Sequence, residues 1–507
     1  MNFPIVLLSR YREFRARGMA PESARRDAVW NAFRAELVGA SVAAIAYGSL
    51  TITRFRGFAQ FGLIGLVGMM LVWISMIPCV PAMIAAVERL EGALPRRLRQ
   101  APARVEPDGS RGPLSRLVGD ITERRPRLVL AIAGAITIVA VWRLPAFLRD
   151  PWEYDFDKLG SSAARAGMDA WTRKAERVFG GRAGLGGAMM IADTAAQVPA
   201  LKARILANDA ADPEGRLIEE ITTLDDVLPG SEAEQRRKLG VIARIQGRLT
   251  PAVLAALPEA ERRRVEEERP PAGLRVVGPG DLPPVLRHRF EEASGAIGAV
   301  FHVRFRDVSL TDGHNLLRIA RTTDDVALPD GQRVATASRS TVFAEMIRSM
   351  QRDAPLATLV ALSLVVLVVA AATRDRRGTV AVLLALLLGV AWMLGGAAWR
   401  GERINFVDFI ALPITFGIGA EYPFNIYDRS RLLAGDVTRA VKLHAGAVAL
   451  CSYTTVIGYG SLVGADNLAL RSFGRMAVAG EIACLFAALV FLPALLHATR
   501  PARAKEP

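Results

Sequence analysis

The chain is poor in the residues that build most metal and disulfide sites, with 3 cysteines and 5 histidines in 507 residues. Cys79, Cys451 and Cys484 all lie in apolar runs and no CxxC occurs, which excludes a secreted-type disulfide framework. His288, His302, His314, His444 and His497 are scattered without ligand spacing, so no metal centre is expected. Between 150 and 352 there is no nucleophile–base pair, Gly-rich phosphate loop or metal cluster, so enzymatic chemistry is not expected there. Acids are outnumbered: 64 Lys plus Arg face 50 Asp plus Glu, a net charge of +14. That excess does not point to nucleic acid, because the basic residues flank apolar runs.

What the chain does have is segregation. It is 51% hydrophobic and 22% charged, with long charge-free runs alternating with Arg-rich stretches. This pattern excludes a single soluble domain and a disordered chain. A helix needs roughly 20 apolar residues to cross a bilayer. Runs at 35–53, 57–87, 128–148, 355–373, 378–399, 404–426 and 443–465 meet or approach that length, and 473–497 does so while carrying Glu481. Arg143 interrupts the third run and can snorkel to an interface. Residues 1–9 read as the end of a truncated membrane helix meeting a basic flank, not as a signal peptide.

The short segments 10–34, 88–127, 374–377, 429–442 and 500–505 hold 27 Lys and Arg, against 6 in 54–56, 400–403 and 466–475. The first set is therefore expected in the cytoplasm. The resulting plan has a cytoplasmic amphipathic linker at 10–34, two spans in 35–87, a cytoplasmic linker at 88–127 and a span at 128–148. A folded external domain follows at 149–353, then five spans in 354–499 and a cytoplasmic tail at 500–507. Within the external domain, Gly187–Ile191, Leu217–Thr222 and Val300–Phe305 read as strands and Val198–Ala207 as a helix. Glu232–Leu249 and Pro251–Glu268 read as a charged helical pair.

The chain also repeats itself. Tyr47-Gly48-Ser49-Leu50 recurs as Tyr459-Gly460-Ser461-Leu462, and at the same offset Phe61-Gly62 matches Phe473-Gly474 and Pro81-Ala82 matches Pro493-Ala494. With a few residues inserted, Phe3-Pro4 and Arg10 match Tyr422-Pro423 and Arg429. Residues 1–87 thus copy 420–497, a pattern found in transporters. By that symmetry, on the order of 290 residues would precede Met1.

Glu421 is the strongest candidate for chemistry. Arg429 lies eight residues on, about 12 Å along a helix, which places Glu421 inside the hydrocarbon zone. An acid there costs roughly 2.5–3.5 kcal/mol on insertion scales and marks ion pathways. Tyr422 adjoins it. Thr454 and Thr455 on the next span either hydrogen-bond Glu421 or bond their own backbone. Asp408, about 20 Å away, reads as a solvated interfacial acid ahead of a proton entry point. Glu481 is either a structural partner or a relay group. Pro413, Gly417, Gly419 and Pro423 either loosen the helix or serve close packing.

Several motifs together resemble the resistance–nodulation–division (RND) superfamily, and more closely its MMPL-type exporters and their hopanoid-transporter relatives. These are Asn405-Phe406, the run Leu412–Tyr422, Asn425 and Arg429, Gly474, Leu492-Pro493-Ala494-Leu495-Leu496, Asp281-Leu282-Pro283-Pro284 and Asp353-Ala354-Pro355. The resemblance implies a polytopic α-helical membrane protein (RND-type helix bundle) with an extracytoplasmic α/β, ferredoxin-like porter domain in the periplasm. It implies a proton-driven exporter of lipids or other hydrophobic molecules in the bacterial inner membrane, working through alternating motion of the external domain. No cofactor beyond the proton gradient is implied. Membrane lipids are the expected partners and nucleic acid is not; a homo-oligomer and a periplasmic partner stay open. In the family the acid–aromatic pair is Asp-Tyr, here Glu421-Tyr422, and Asn2 stands where the family has its other acid. An amide carries no proton. Either Glu421 works alone, or coupling is lost and the chain is a non-transporting lipid-sensing or assembly module that keeps the fold.

Overall fold

The structure is a computed structural model and describes residues 3–93, 113–161, 187–271, 273–306 and 308–499, together with Gly167, Ala170, Trp171 and Lys174. Asn2, residues 94–112 of the 88–127 linker and the tail from 500 on lie outside the described residues. The chain divides into two compact units, one of residues 1–169 with 346–507 and the other of 170–345.

The first unit is helical. In chain order it begins with α1 (Phe3–Ala16), α2 (Pro21–Gly48), α3 (Arg56–Ala93), α4 (Pro113–Arg124) and α5 (Pro126–Trp142). Proline at the first position of α2 and α5 supplies a preset φ where the missing N–H is not needed. At the end of α5, Arg143 stacks its guanidinium 4.8 Å from the centroid of Trp399, so its charge is met by a ring face.

The second unit packs helices on one small sheet. Strands β1 (Gly187–Ile191), β2 (Ile218–Thr222) and β3 (Val300–Phe305) run in the order β1-β3-β2, each antiparallel to the central β3. With helix α6 (Val198–Ala210) joining β1 to β2, this is a split βαβ arrangement. Alternation along β3 sends Phe301, Val303 and Phe305 into the core with Met190, Leu201, Ile205, Ile221 and Ile319. Asp209 ties α6 to β2 by accepting from the backbone N–H of Leu217 at 2.8 Å and Ile218 at 3.1 Å.

The charged pair is α7 (Glu232–Arg248) and α8 (Glu259–Glu268). The continuous helix expected over 251–268 breaks, because Pro258 forces Leu257 to an extended ψ of 144°. After α9 (Gly313–Thr323), the two-residue strand β4 (Val326–Ala327) pairs with β5 (Arg333–Val334) and not with β1. Among the described residues, the main sheet therefore has three strands of a ferredoxin-like pattern.

The chain continues as α10 (Arg339–Thr373), α11 (Arg376–Arg400), α12 (Asp408–Leu432), α13 (Val437–Val463) and α14 (Leu468–Phe486). A π turn, Ala487–Phe491, then leads into α15 (Leu492–Ala498). Pro493 has no N–H to return to the preceding turn, and the wider turn absorbs the mismatch. Asp375, Asp436 and Asn467 cap α11, α13 and α14 by accepting from backbone N–H groups. Seven of the described helices are long and apolar enough to cross a membrane. The 25-residue α12 is not one of them; it is more polar, and 21 of its residues are buried among other helices.

The repeat is a packing rule. A Cβ on Gly62 would sit 2.7 Å from the Tyr47 carbonyl oxygen, and one on Gly474 would sit 2.8 Å from that of Tyr459. Only glycine lets the two backbones of each hairpin meet there. Phe61 and Phe473 lie against the same tyrosines, with ring centroids 5.8 Å apart in both copies. Tyr47 and Tyr459 also lie close to each other across the two copies. Contact between equivalent residues marks a pseudo-twofold axis between the copies.

Candidate functional site

Helix α12 places its acid where three elements converge. Gly417 lies against Ala43 and Ala46 of α2, and Gly419 against Cys484 of α14 and Leu386 of α11. A Cβ at Gly417 would be 2.8 Å from that of Ala46, and one at Gly419 would be 2.7 Å from the Cys484 sulfur. Both glycines are thus close-approach points. Pro413 and Pro423 lie inside the helix and leave the Phe409 and Gly419 carbonyls without their usual helical donors.

Glu421 is 6% exposed and packs on the bare backbone of Gly39 in α2, where a Cβ would come within 3.0 Å of its Cγ. Tyr422 turns to the other side and donates its hydroxyl to Glu481 of α14. Glu481 is 4% exposed and lines a narrow crevice with Thr415, Gly419 and Tyr459. Ser452 of α13 lies beside it. The structure therefore brings Glu421, Tyr422 and Glu481 together.

One pair of open readings is decided, and one expectation needs correction. Thr454 and Thr455 donate to the Cys451 carbonyl, at 2.8 and 3.1 Å, so both hydroxyls close back on their own helix. Asp408 is not a solvated interfacial acid but fully buried. Its Oδ2 accepts from the Asn405 N–H at 3.2 Å and from Ser472 at 2.8 Å. The Asn405 side chain in return accepts from the N–H groups of Val407 and Asp408. This reciprocal cap opens α12, and the local geometry makes Asp408 an anchor for the helix start. Asn2 lies outside the described residues.

One acid in the site escaped the sequence reading. Glu36 on α2 is 7% exposed, three residues before Gly39 and so on the same helical face. It lies close enough to Glu421 for the two charges to repel, and close enough to Arg10 of α1 to be attracted. Its position one residue into an apolar run made it look like part of the charged flank. The legible signal was an acid and a glycine three apart at the edge of a span.

Beyond the span, Glu13 of α1 is 5% exposed and gathers three guanidiniums. Arg429 donates to it, Arg17 lies at 2.5 Å and Arg10 at 3.7 Å. Burial pushes the Glu13 carboxyl up, but Arg429 and Arg10 outweigh it and hold the carboxyl below the usual glutamate range. Arg10 and Arg429 are equivalent residues of the two copies, and both turn to the same acid.

Residues 1–129 match the MMPL family. No curated protein matches the chain. Among solved structures, it is similar to SecDF, a translocon-associated membrane protein from Thermus thermophilus. The TM-score is 0.51 at 17% identity, over 98% of this chain and 52% of that one. The chain thus spans about half the length of the SecDF chain. The likeness is one of fold: a bundle of membrane-length helices with a separate α/β unit.

Proposed function

We propose that this chain belongs to a proton-driven RND/MMPL-type exporter that moves lipids or other hydrophobic molecules out of the inner membrane. Glu421 is the proton-carrying group, and Tyr422 and Glu481 are its hydrogen-bonded neighbours. The observation that carries the reading is a carboxylate buried at mid-span on the most enclosed helix, next to a second buried carboxylate held by a tyrosine. Such groups cost too much to persist in a membrane without a task. No catalytic residue and no cofactor other than the proton gradient enters this reading.

The test is reconstitution of the full chain into vesicles with an imposed pH gradient and a fluorescent phospholipid as probe. Glu421→Gln is expected to abolish gradient-driven movement of the probe while leaving insertion intact. Normal transport by a well-inserted Glu421→Gln protein would overturn the proposal. Activity insensitive to an uncoupler would favour a lipid-sensing or assembly module.

A further inference from the structure

We propose that Glu36 is the second proton-exchanging carboxylate of this site, sharing one proton with Glu421 across the α2–α12 contact. The inference rests on the exporter reading for Glu421 and adds a residue to it from the other copy of the repeat.

Three observations carry it. First, the two acids face each other by construction. Gly39 removes the side chain that would separate them, so that Glu421 Cγ and Cδ lie 3.0 and 3.1 Å from where a Cβ would be, and Glu36 is on the same face one turn away. Second, Glu36 is more than nine-tenths buried, and its Oε1 meets no hydrogen-bond donor among the described residues. A purely structural glutamate at such a place is expected to be bonded on both oxygens. Third, the charged groups around it form a graded set. α12 presents Glu421 and α1 presents Arg10, while Glu88 of α3 is held by Tyr11 and Arg25.

Two carboxylates in one dry site cannot both ionise cheaply, so one proton between them is the stable count. With the proton on Glu421, the Glu36 carboxylate faces Arg10. With the proton passed to Glu36, Glu421 carries the charge and Arg10 is left to Glu13, 3.7 Å away. The transfer moves one proton from the Glu421 carboxyl oxygen to a Glu36 carboxylate oxygen and changes no net charge. It connects mid-span to the cytoplasmic flank without an acid at position 2.

The experiment is infrared difference spectroscopy of the reconstituted full chain across a pH step, reading the carbonyl stretch of protonated carboxyl groups. Glu36→Gln and Glu421→Gln are each expected to remove part of that band. Each is also expected to shift the midpoint of the remaining acid by about one pH unit or more, as for strongly interacting sites. Glu36→Asp is expected to displace the band and keep gradient-driven transport. If Glu421→Gln alters the band while Glu36→Gln and Glu36→Asp leave it unchanged, Glu36 is a packing residue and the exporter reading survives alone. If neither amide variant alters the band, the exporter reading falls with it.

Discussion

The two copies of the repeat are nearly the same where backbones touch and different wherever there is an acid. Gly62 and Gly474 allow the same approach to Tyr47 and Tyr459, and Phe61 and Phe473 fill the same place beside them. Yet Glu36 of the first copy corresponds to Val448 of the second, Glu481 of the second to Met69 of the first, and Glu13 of the first to Leu432 of the second. A steric rule applies equally to both halves, because a Cβ clashes in either. A charge near the axis is shared by both halves, so one copy can supply it for two. The difference teaches which residues hold the fold and which give it a direction.

The comparison can be broken at several points. The largest effect is expected from Glu13→Ala, which leaves Arg10 and Arg429 buried without their common partner. A loss of about 3 kcal/mol or more in unfolding free energy is expected in detergent, as for other broken buried pairs, whereas Leu432→Ala at the matching exposed position should do little. Next, Gly62→Val and Gly474→Val should each cost about 1–3 kcal/mol by overpacking against backbone. Near-equal losses in thermal melts would support a common packing rule, and a loss in only one copy would refute it.

The same acid sets a pH dependence. The folded-state pKa of Glu13 lies below its ordinary value of 4.5. Its stabilisation is therefore fully present above about pH 4.5 and is lost as pH falls through the lower folded value. Melting points of the wild-type protein and Glu13→Gln should converge on acidification; a gap independent of pH would count against an ionised Glu13. The smallest effect concerns the tyrosine pair on the axis. Tyr47→Phe and Tyr459→Phe should each cost about 1 kcal/mol or less, and the double variant less than their sum, because the two side chains share one contact.

Much of the bundle was legible because membrane spans are defined by length and apolarity, which a sequence carries openly. The α/β unit was legible to the residue in β1 and β3, where alternation is clean, and less so where Pro258 broke a helix that charge patterning read as continuous. Glu421 could be found because an isolated acid in a span is costly. Glu36 could not, since its burial is imposed by α12 and Gly39 from across the bundle and not by its own neighbours in sequence. Thr454 and Thr455 stayed open between two readings because adjacency of spans says nothing about which way a side chain turns; their hydroxyls are satisfied locally. Asp408 misled because its partners, Asn405 and Ser472, make a capping arrangement that lets a rim acid be fully covered.

The contact between Arg10, Arg429 and Glu13 has a consequence for motion. Two equivalent arms reach for one anion that Arg17 already holds at 2.5 Å, so they compete for what remains of its two oxygens. Perfect symmetry would split its attention evenly; in the structure Arg429 has the direct hydrogen bond and Arg10 stands off at 3.7 Å. A tilt of one copy against the other would therefore need only an exchange of which equivalent arm holds the anion, with no ion carried out of the protein.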